Sequence, residues 1–326
     1  MIQNLLLPVF IGFSVFLSGM KLMELALHRM AGPHLTAMLQ RSTATPLRGM
    51  AVGAATTAVL QSSTAVTVIS IGFVNAGLLS FPRTLGIILG TNIGTCLTTE
   101  LIGLNIGQAA IPMLVSSILA WLLTALLGEI KIWPGLDRLR WLMPLRSASV
   151  AVCGFGLVLA GLNMMQSIGP YLQESGMFDW FLGHASDSLW WGMAAGAAIT
   201  AAVHSGAAVI GMVMGFVAMN GMPAEIGVAI VVGANVGTCV TALLASLGGS
   251  RGGKFVALSH IVLNVGGALL FQPFIGELTA VSGAIAHSPS SQIAHAQTIF
   301  NIVCSLIALP ICYAKFWRRL DNRESS

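Results

Sequence analysis

The sequence predicts an all-α integral membrane protein with about seven spanning helices, folded as two inverted-topology repeats that each carry a re-entrant helical hairpin and a broken helix. Three observations lead there. First, 56% of the 326 residues are hydrophobic and 8% are charged, with a mean hydropathy of +0.86, whereas soluble domains carry roughly 25% charge. Second, one pattern occurs twice, 143 residues apart. GAATTAVLQSSTA at residues 53–65 returns as GAAITAAVHSGAA at 196–208, and GTNIGTCLT at 90–98 returns as GANVGTCVT at 233–241. Of the 46 positions from 53 to 98, 18 are identical without a gap, so both halves follow one plan. Third, all 15 Lys and Arg residues can be placed on one side of a bilayer, which the positive-inside rule makes the cytoplasmic side.

The first repeat is expected over residues 1–128. It opens with an apolar helix near 5–23, whose GFSVFLSGMKLM from Gly12 matches GFGLVLAGLNMM from Gly154. It has no small-residue cleavage site after a basic start and reads as a retained helix. Next comes a stretch of 34 residues between Arg48 and Arg83, interrupted by the polar turn QSST. Two crossings and a turn would need roughly 44 residues, so a re-entrant hairpin (about 49–80) is expected. The alternative is one long Gly-kinked helix. Spans near 83–104 and 110–127 complete the repeat, the former broken at GTNIGT.

Residues 129–147, with Pro134, Gly135 and Pro144, read as a cytoplasmic linker. The second repeat follows over 148–275. It has a span near 148–168, a hairpin at about 190–222 that turns at HSGA, and spans near 226–247 and 255–275. Residues 276–326 supply a final transmembrane helix near 293–313 and a basic cytoplasmic tail. The non-basic side holds the acids Glu174, Asp179, Asp187, Glu225 and Glu277 with His184 and His287. Three crossings in the first repeat invert the second. The N-terminus is then outside, the C-terminus cytoplasmic, and the hairpin tips converge near the midplane of the plasma membrane.

Binding chemistry at those tips follows from the groups present. Gln61, Ser62, Ser63, Thr64 and Thr67 cluster at one tip, with Thr56 and Thr57 a turn or two before, and Asn92 and Thr95 in the next helix. Neither tip has a nearby Lys or Arg. A helix that restarts after a break nevertheless aims free N–H groups and a positive dipole end at the gap, and the hydroxyls and amide add donors. Exposed carbonyls with Thr, Ser and Asn oxygens suit a small hard cation. The expected occupants are a small oxyanion and a coupling cation.

At these residues the chain resembles the sodium-dependent phosphate cotransporter family, type II-like, in a bacterial form without the C-terminal regulatory domain. QSST at 61–64, GTNIGT at 90–95 and their repeats carry the resemblance, which runs from Gly12 to about Pro310. It implies sodium-coupled inorganic phosphate symport by alternating access. It also implies substrate binding by Gln61, Ser62, Ser63 and Thr64, with His204 and Ser205 from the second turn. Sodium, transported rather than held as a cofactor, would meet Thr67, Asn92, Thr95, Asn235 and Thr238. No organic cofactor and no nucleic-acid partner are expected; a homodimer or a separate regulatory protein is left open.

The chain departs from the family pattern at the second turn, where Gln-Ser-Ser becomes His204, Ser205, Gly206 and Ala207. Against QSST in the first half this loses an amide and two hydroxyls and gains an imidazole, the side chain whose charge changes close to physiological pH. His204 is therefore read either as a proton-linked switch or as a neutral, hydrogen-bonded residue. Two weaker matches lie further on. HIVLN at 260–264 has Leu263 where the family has Phe, and the last helix has Gln297 where the family often has His, ahead of IFN at 299–301.

Glu100, matched by Leu243 in the other half, is an acid within a span and hence a functional candidate for coupling, against a protonated or Asn-paired structural role. His260 and His295 read as packing residues and Arg83 as an interfacial anchor. The five cysteines lack metal-ligand spacing. An enzyme is not expected, because no nucleophile–base–acid set, phosphate loop or metal cluster is present. Two other readings compete with sodium–phosphate symport: a proton-coupled or other small-anion carrier on the same scaffold, and a non-transporting sensor or leak with a degenerate second half-site.

Overall fold

A computed structural model describes residues 2–41, 43–104, 106–129, 141–166, 176–314 and 316–317. Most of the expected linker and nearly all of the basic tail lie outside the described residues. The described residues are helical, without strands. The helices are α1 Ile2–Arg41, α2 Pro46–Leu60, α3 Ser63–Asn75, α4 Phe81–Gly103, α5 Ala110–Glu129, α6 Leu142–Gln166 and α7 Gly176–Asp187. They continue as α8 Leu189–Val203, α9 Gly206–Ala218, α10 Ala224–Gly237, α11 Cys239–Ser246, α12 Arg251–Phe271, α13 Ile275–Ile285 and α14 Pro289–Cys312.

Seven helical stretches among the described residues are long and apolar enough to cross a membrane: Phe10–Ala31, Phe81–Gly103, Gly107–Leu127, Leu142–Gln166, Ala224–Ser246, Arg251–Ile285 and Pro289–Cys312. They coincide with the seven expected spans, and the protein is an all-α, multi-pass membrane protein. The arms of the two hairpins are shorter. In each hairpin a 15-residue helix is followed by a 13-residue helix. At about 1.5 Å rise per residue each arm is roughly 20 Å long, less than the roughly 30 Å of a hydrocarbon core.

The described residues form two compact units, one drawn from 1–33 and 106–172, the other from 34–105 and 173–326. In the first, α1 crosses α6 at glycines. A Cβ at Gly12 would press on the Gly161 carbonyl and one at Gly19 on the Gly154 carbonyl, and the reverse pairs hold as well. Gly12 and Gly19 are the repeat counterparts of Gly154 and Gly161. Each therefore meets the counterpart of the other, and α1 and α6 run antiparallel. A crossing in which residue i meets the equivalent of j, and j the equivalent of i, is the pattern a two-fold axis produces. Small residues allow such close backbone approach where lipid removes the hydrophobic drive between helices.

The second unit holds both hairpins. Along α4, Gly86, Gly90 and Gly94 face the carbonyls of Pro46, Met50 and Ala54 on α2; along α10, Gly233 and Gly237 face those of Met193 and Ala197 on α8. Gly53 and Gly196 make the return contact, at the carbonyls of Ile87 and Ile230. The contacts of Gly53, Gly90 and Gly94 recur 143 residues on at Gly196, Gly233 and Gly237, while Gly86 has Ala229 in the equivalent place. The first arm of each hairpin is thus seated on the next helix in one register, with no room for a side chain between the backbones. Around this seat Ile71, Phe81, Leu85, Ile88, Leu89, Val256 and Ala257 form a buried apolar cluster joining α3, α4 and α12.

The helix break expected in each half is found in one. α4 runs unbroken through GTNIGT, whereas Thr238 separates α10 from α11. The interruption is slight. Thr238 keeps right-handed helical angles, φ −62° and ψ −21°, and Ala224–Ser246 remains one span. Thr95 Oγ1 donates to the Thr91 carbonyl four residues back at 2.9 Å, and Thr238 Oγ1 to the Asn235 carbonyl three residues back at 2.6 Å.

Candidate functional site

Each hairpin turns through a residue in the left-handed region followed by an extended serine. Gln61 has φ 56° and ψ 27°, and His204 has φ 57° and ψ 25°. For residues with a Cβ this conformation costs roughly 1–3 kcal/mol. Asn220 is the only other non-glycine residue with positive φ among the described residues. Two of the three such residues thus occupy equivalent positions at the two tips.

Ser62 and Ser205 cap the second arms. Their Oγ atoms accept from the amides of Ala65 (3.2 Å) and Ala208 (3.3 Å). The preceding amides of Ser63 and Thr64, and of Gly206 and Ala207, have no protein acceptor among the described residues. Each tip therefore presents two first-turn N–H groups at the positive end of a helix, an arrangement that receives an anion without a fixed cation.

Buried oxygens without partners gather on the first hairpin. Thr56, Thr57 and Thr67 are buried, and their hydroxyl oxygens, like Gln61 Oε1, have no hydrogen-bond partner; on the second hairpin Thr200, the equivalent of Thr57, is in the same state. Gln61 Nε2 donates to the Ala58 carbonyl, which fixes the amide and leaves Oε1 free. An unsatisfied buried polar group costs about 1–3 kcal/mol. Each such group in a folded protein calls for a reason, and four of them lie on one hairpin.

The expected sites differ in how far the structure brings their residues together. Gln61, Ser62, Ser63, Thr64 and Thr67 share the first tip, and His204 and Ser205 the second. His204 is exposed, and its Nδ1 lies 3.4 Å from Thr241 Oγ1. Asn92 reaches into the other half, where its Nδ2 donates to Asn264 Oδ1 at 2.8 Å. Asn235, its equivalent, bonds its own helix at the Val231 carbonyl, 2.9 Å away. Thr95 and Thr238 also bond their own helices.

Glu100 is neither isolated nor paired with an Asn. Its carboxylate lies 3.0 Å from His295 Nδ1 and accepts from the Thr298 hydroxyl. That pair lines a cavity of about 350 Å³ with Gly103, His287, Ser288 and Ser291. His295 is therefore an acid partner as well as a packing residue. The sequence reading missed Thr200 and Thr298. The 143-residue offset from Thr57 would have found the first, and the three-residue spacing from His295, which puts both on one helix face, the second.

Comparison with known proteins agrees with the motif geometry. The chain matches the family model described as Na+/Pi-cotransporter over residues 15–167 and 173–287. It is 33% identical over 297 residues to "Uncharacterized protein YqeW" of Bacillus subtilis (strain 168), covering 91% of each chain. It is 23% identical over 311 residues to "Putative inorganic phosphate export protein YjbB" of Escherichia coli (strain K12), covering 94% of this chain and 54% of that one. The chain thus spans about half the length of YjbB. No solved structure matches. A family match that takes in both hairpins, both left-handed turns and the helices on which they sit establishes that the chain belongs to the Na+/Pi-cotransporter family.

Proposed function

We propose that the protein is a secondary active transporter that carries inorganic phosphate across the plasma membrane coupled to sodium, by alternating access. The observation that carries this reading is the set of free first-turn amides and unpartnered oxygens at the Gln61–Thr64 turn. The amides of Ser63 and Thr64, with the Ser62 and Ser63 hydroxyls, offer donors to phosphate oxygens, and His204 and Ser205 complete the site from the other tip. Thr67, Asn92, Thr95, Asn235 and Thr238 offer oxygens to sodium. A Thr hydroxyl that donates its proton to a helix carbonyl keeps lone pairs for a cation, which is the state of Thr95 and Thr238. The antiparallel α1–α6 crossing and the arm lengths support inverted repeats with re-entrant hairpins. The N-terminus then lies outside and the C-terminus in the cytoplasm.

A second reading has one observation in its favour. The imidazole of His204 stands where the first tip has an amide, which suits coupling to protons. Uptake of radiolabelled phosphate into proteoliposomes under imposed gradients separates the readings. Sodium-gradient-driven accumulation is expected. Accumulation driven by a pH gradient alone would replace sodium with protons, and binding without flux would make the protein a sensor. Relatives named for phosphate export make the reversed sodium gradient part of the same experiment, with net efflux as the readout.

A further inference from the structure

A second symmetry, invisible in the 143-residue repeat, links the two helices that cover the helical motifs. Cys96 on α4 and Cys239 on α11 are repeat equivalents. Asn301 Nδ2 on α14 donates to Cys96 Sγ and Asn264 Nδ2 on α12 donates to Cys239 Sγ, both at 3.4 Å. Each thiol also reaches a carbonyl four residues before its asparagine, at Gln297 (3.9 Å) and His260 (3.7 Å). α14 therefore stands to the first half as α12 stands to the second, and Gln297-x-x-x-Asn301 corresponds to His260-x-x-x-Asn264.

Under that correspondence one bond is made and its counterpart is not. Asn264 Oδ1 accepts from Asn92 Nδ2, across the halves, at 2.8 Å. The equivalent acceptor, Asn301 Oδ1, is 1% exposed as a residue and has no partner. The equivalent donor, Asn235 Nδ2, is turned back onto the Val231 carbonyl of its own helix. Both are buried, on helices belonging to one compact unit. A buried oxygen with a symmetry-matched donor pointing elsewhere is what one state of a two-state element leaves behind.

We infer that Asn235 and Asn301 are positioning residues for the transport cycle, forming in the opposite state the hydrogen bond that Asn92 and Asn264 form in this one. The two amide pairs close alternately. In inverted repeats the opposite state is reached when each repeat adopts the conformation of the other, so a bond present in one half and absent in its counterpart exchanges places. The inference rests on the alternating-access reading and needs no particular substrate.

The test uses the full chain labelled with 5-fluorotryptophan in lipid nanodiscs without sodium or phosphate, where fluorine spectra report the two populations. Asn92→Ala is expected to move the populations by about fivefold away from this state, and Asn235→Ala by a similar factor toward it, the effect of one buried hydrogen bond. Both slow phosphate uptake at saturating sodium. Asn301→Ala should follow Asn235→Ala. Because it also uncovers Cys96, Asn235→Ala carries the test alone if Asn301→Ala fails to accumulate. Shifts in the same direction, a spectrum unchanged by Asn235→Ala, or a single resonance set in all proteins would overturn the inference. So would an Asn235→Ala defect that extra sodium repairs with unchanged populations, since that assigns Asn235 to the ion alone. Opposed population shifts without phosphate uptake in the parent would sink the substrate reading and leave the asparagine pairs standing.

Discussion

Arms of 15 and 13 residues flank a left-handed residue in both hairpins, Gln61 in one and His204 in the other. In both, the following serine caps the second arm, and the first arm lies on glycines of the next helix. What differs is the chemistry at the tip. The first presents an amide and the hydroxyls of Ser62, Ser63 and Thr64; the second presents an imidazole and one hydroxyl, Ser205. The backbone is thus the same at both tips while the side chains differ. A left-handed residue with a Cβ stands at both tips, where glycine would relieve the strain at the cost of the side chain.

The difference extends one layer beyond the tip. At Gly206 an added Cβ would stand 3.0 Å from Thr238 Cγ2, so the missing side chain lets the Thr238 methyl close in. Thr238 is also where the second helix is interrupted and its hydroxyl turns to the carbonyl three residues back. The first half keeps Ser63 in the place of Gly206, and α4 runs through Thr95 unbroken. The lost hydroxyl and the interrupted helix thus adjoin each other in the second half.

The comparison breaks most easily at the shared seat. Gly90→Leu and Gly233→Leu each push a side chain onto a backbone carbonyl, of Met50 and Met193 respectively. Overpacking of this kind costs about 3 kcal/mol. Equal falls in the thermal unfolding midpoint of the purified variants are expected. A large fall from one and none from the other would mean that the two hairpins are not seated alike.

Next in size is the separation of cap from ligand. Ser62→Ala and Ser205→Ala remove the same cap bond and should each lower stability by about 1 kcal/mol. Uptake should separate them. Ser62→Ala also takes a donor from the richer tip, and a hydrogen bond to a charged group is worth about 1.5–3 kcal/mol, so uptake should fall on the order of 100-fold. Ser205→Ala, at the tip with fewer ligands, should reduce uptake by about tenfold. Equal losses in proteoliposome uptake would make the site symmetric in spite of its sequence.

Much of this was legible in the residues themselves. The 34 residues between Arg48 and Arg83 are too few for two crossings, and QSST supplies a turn; the 15- and 13-residue arms agree. The seven spans follow from apolar runs of sufficient length. The helix break could not be read in the same way. GTNIGT and GANVGT are nearly the same string, and Gly206, which adjoins Thr238, lies 32 positions away in sequence. The bond from Asn92 to Asn264 spans 172 residues and that from Thr298 to Glu100 spans 198. No local pattern announces either, because polar residues in apolar helices choose partners only once the helices have packed.

The smallest expected effect isolates the imidazole. His204 lies 3.4 Å from Thr241 on α11 and is exposed. No Asp, Glu, Lys or Arg occurs in α8, α9 or α11, the elements on either side of it. His204→Gln gives the second tip the amide of the first and keeps a hydrogen-bond donor at that position. Phosphate uptake into proteoliposomes at fixed sodium should therefore stay within about fivefold of the parent, the effect of one ordinary hydrogen bond. A loss as large as that expected for Ser62→Ala would mean that the imidazole does what an amide cannot, and the two tips would then differ in the kind of their groups and not only in the number.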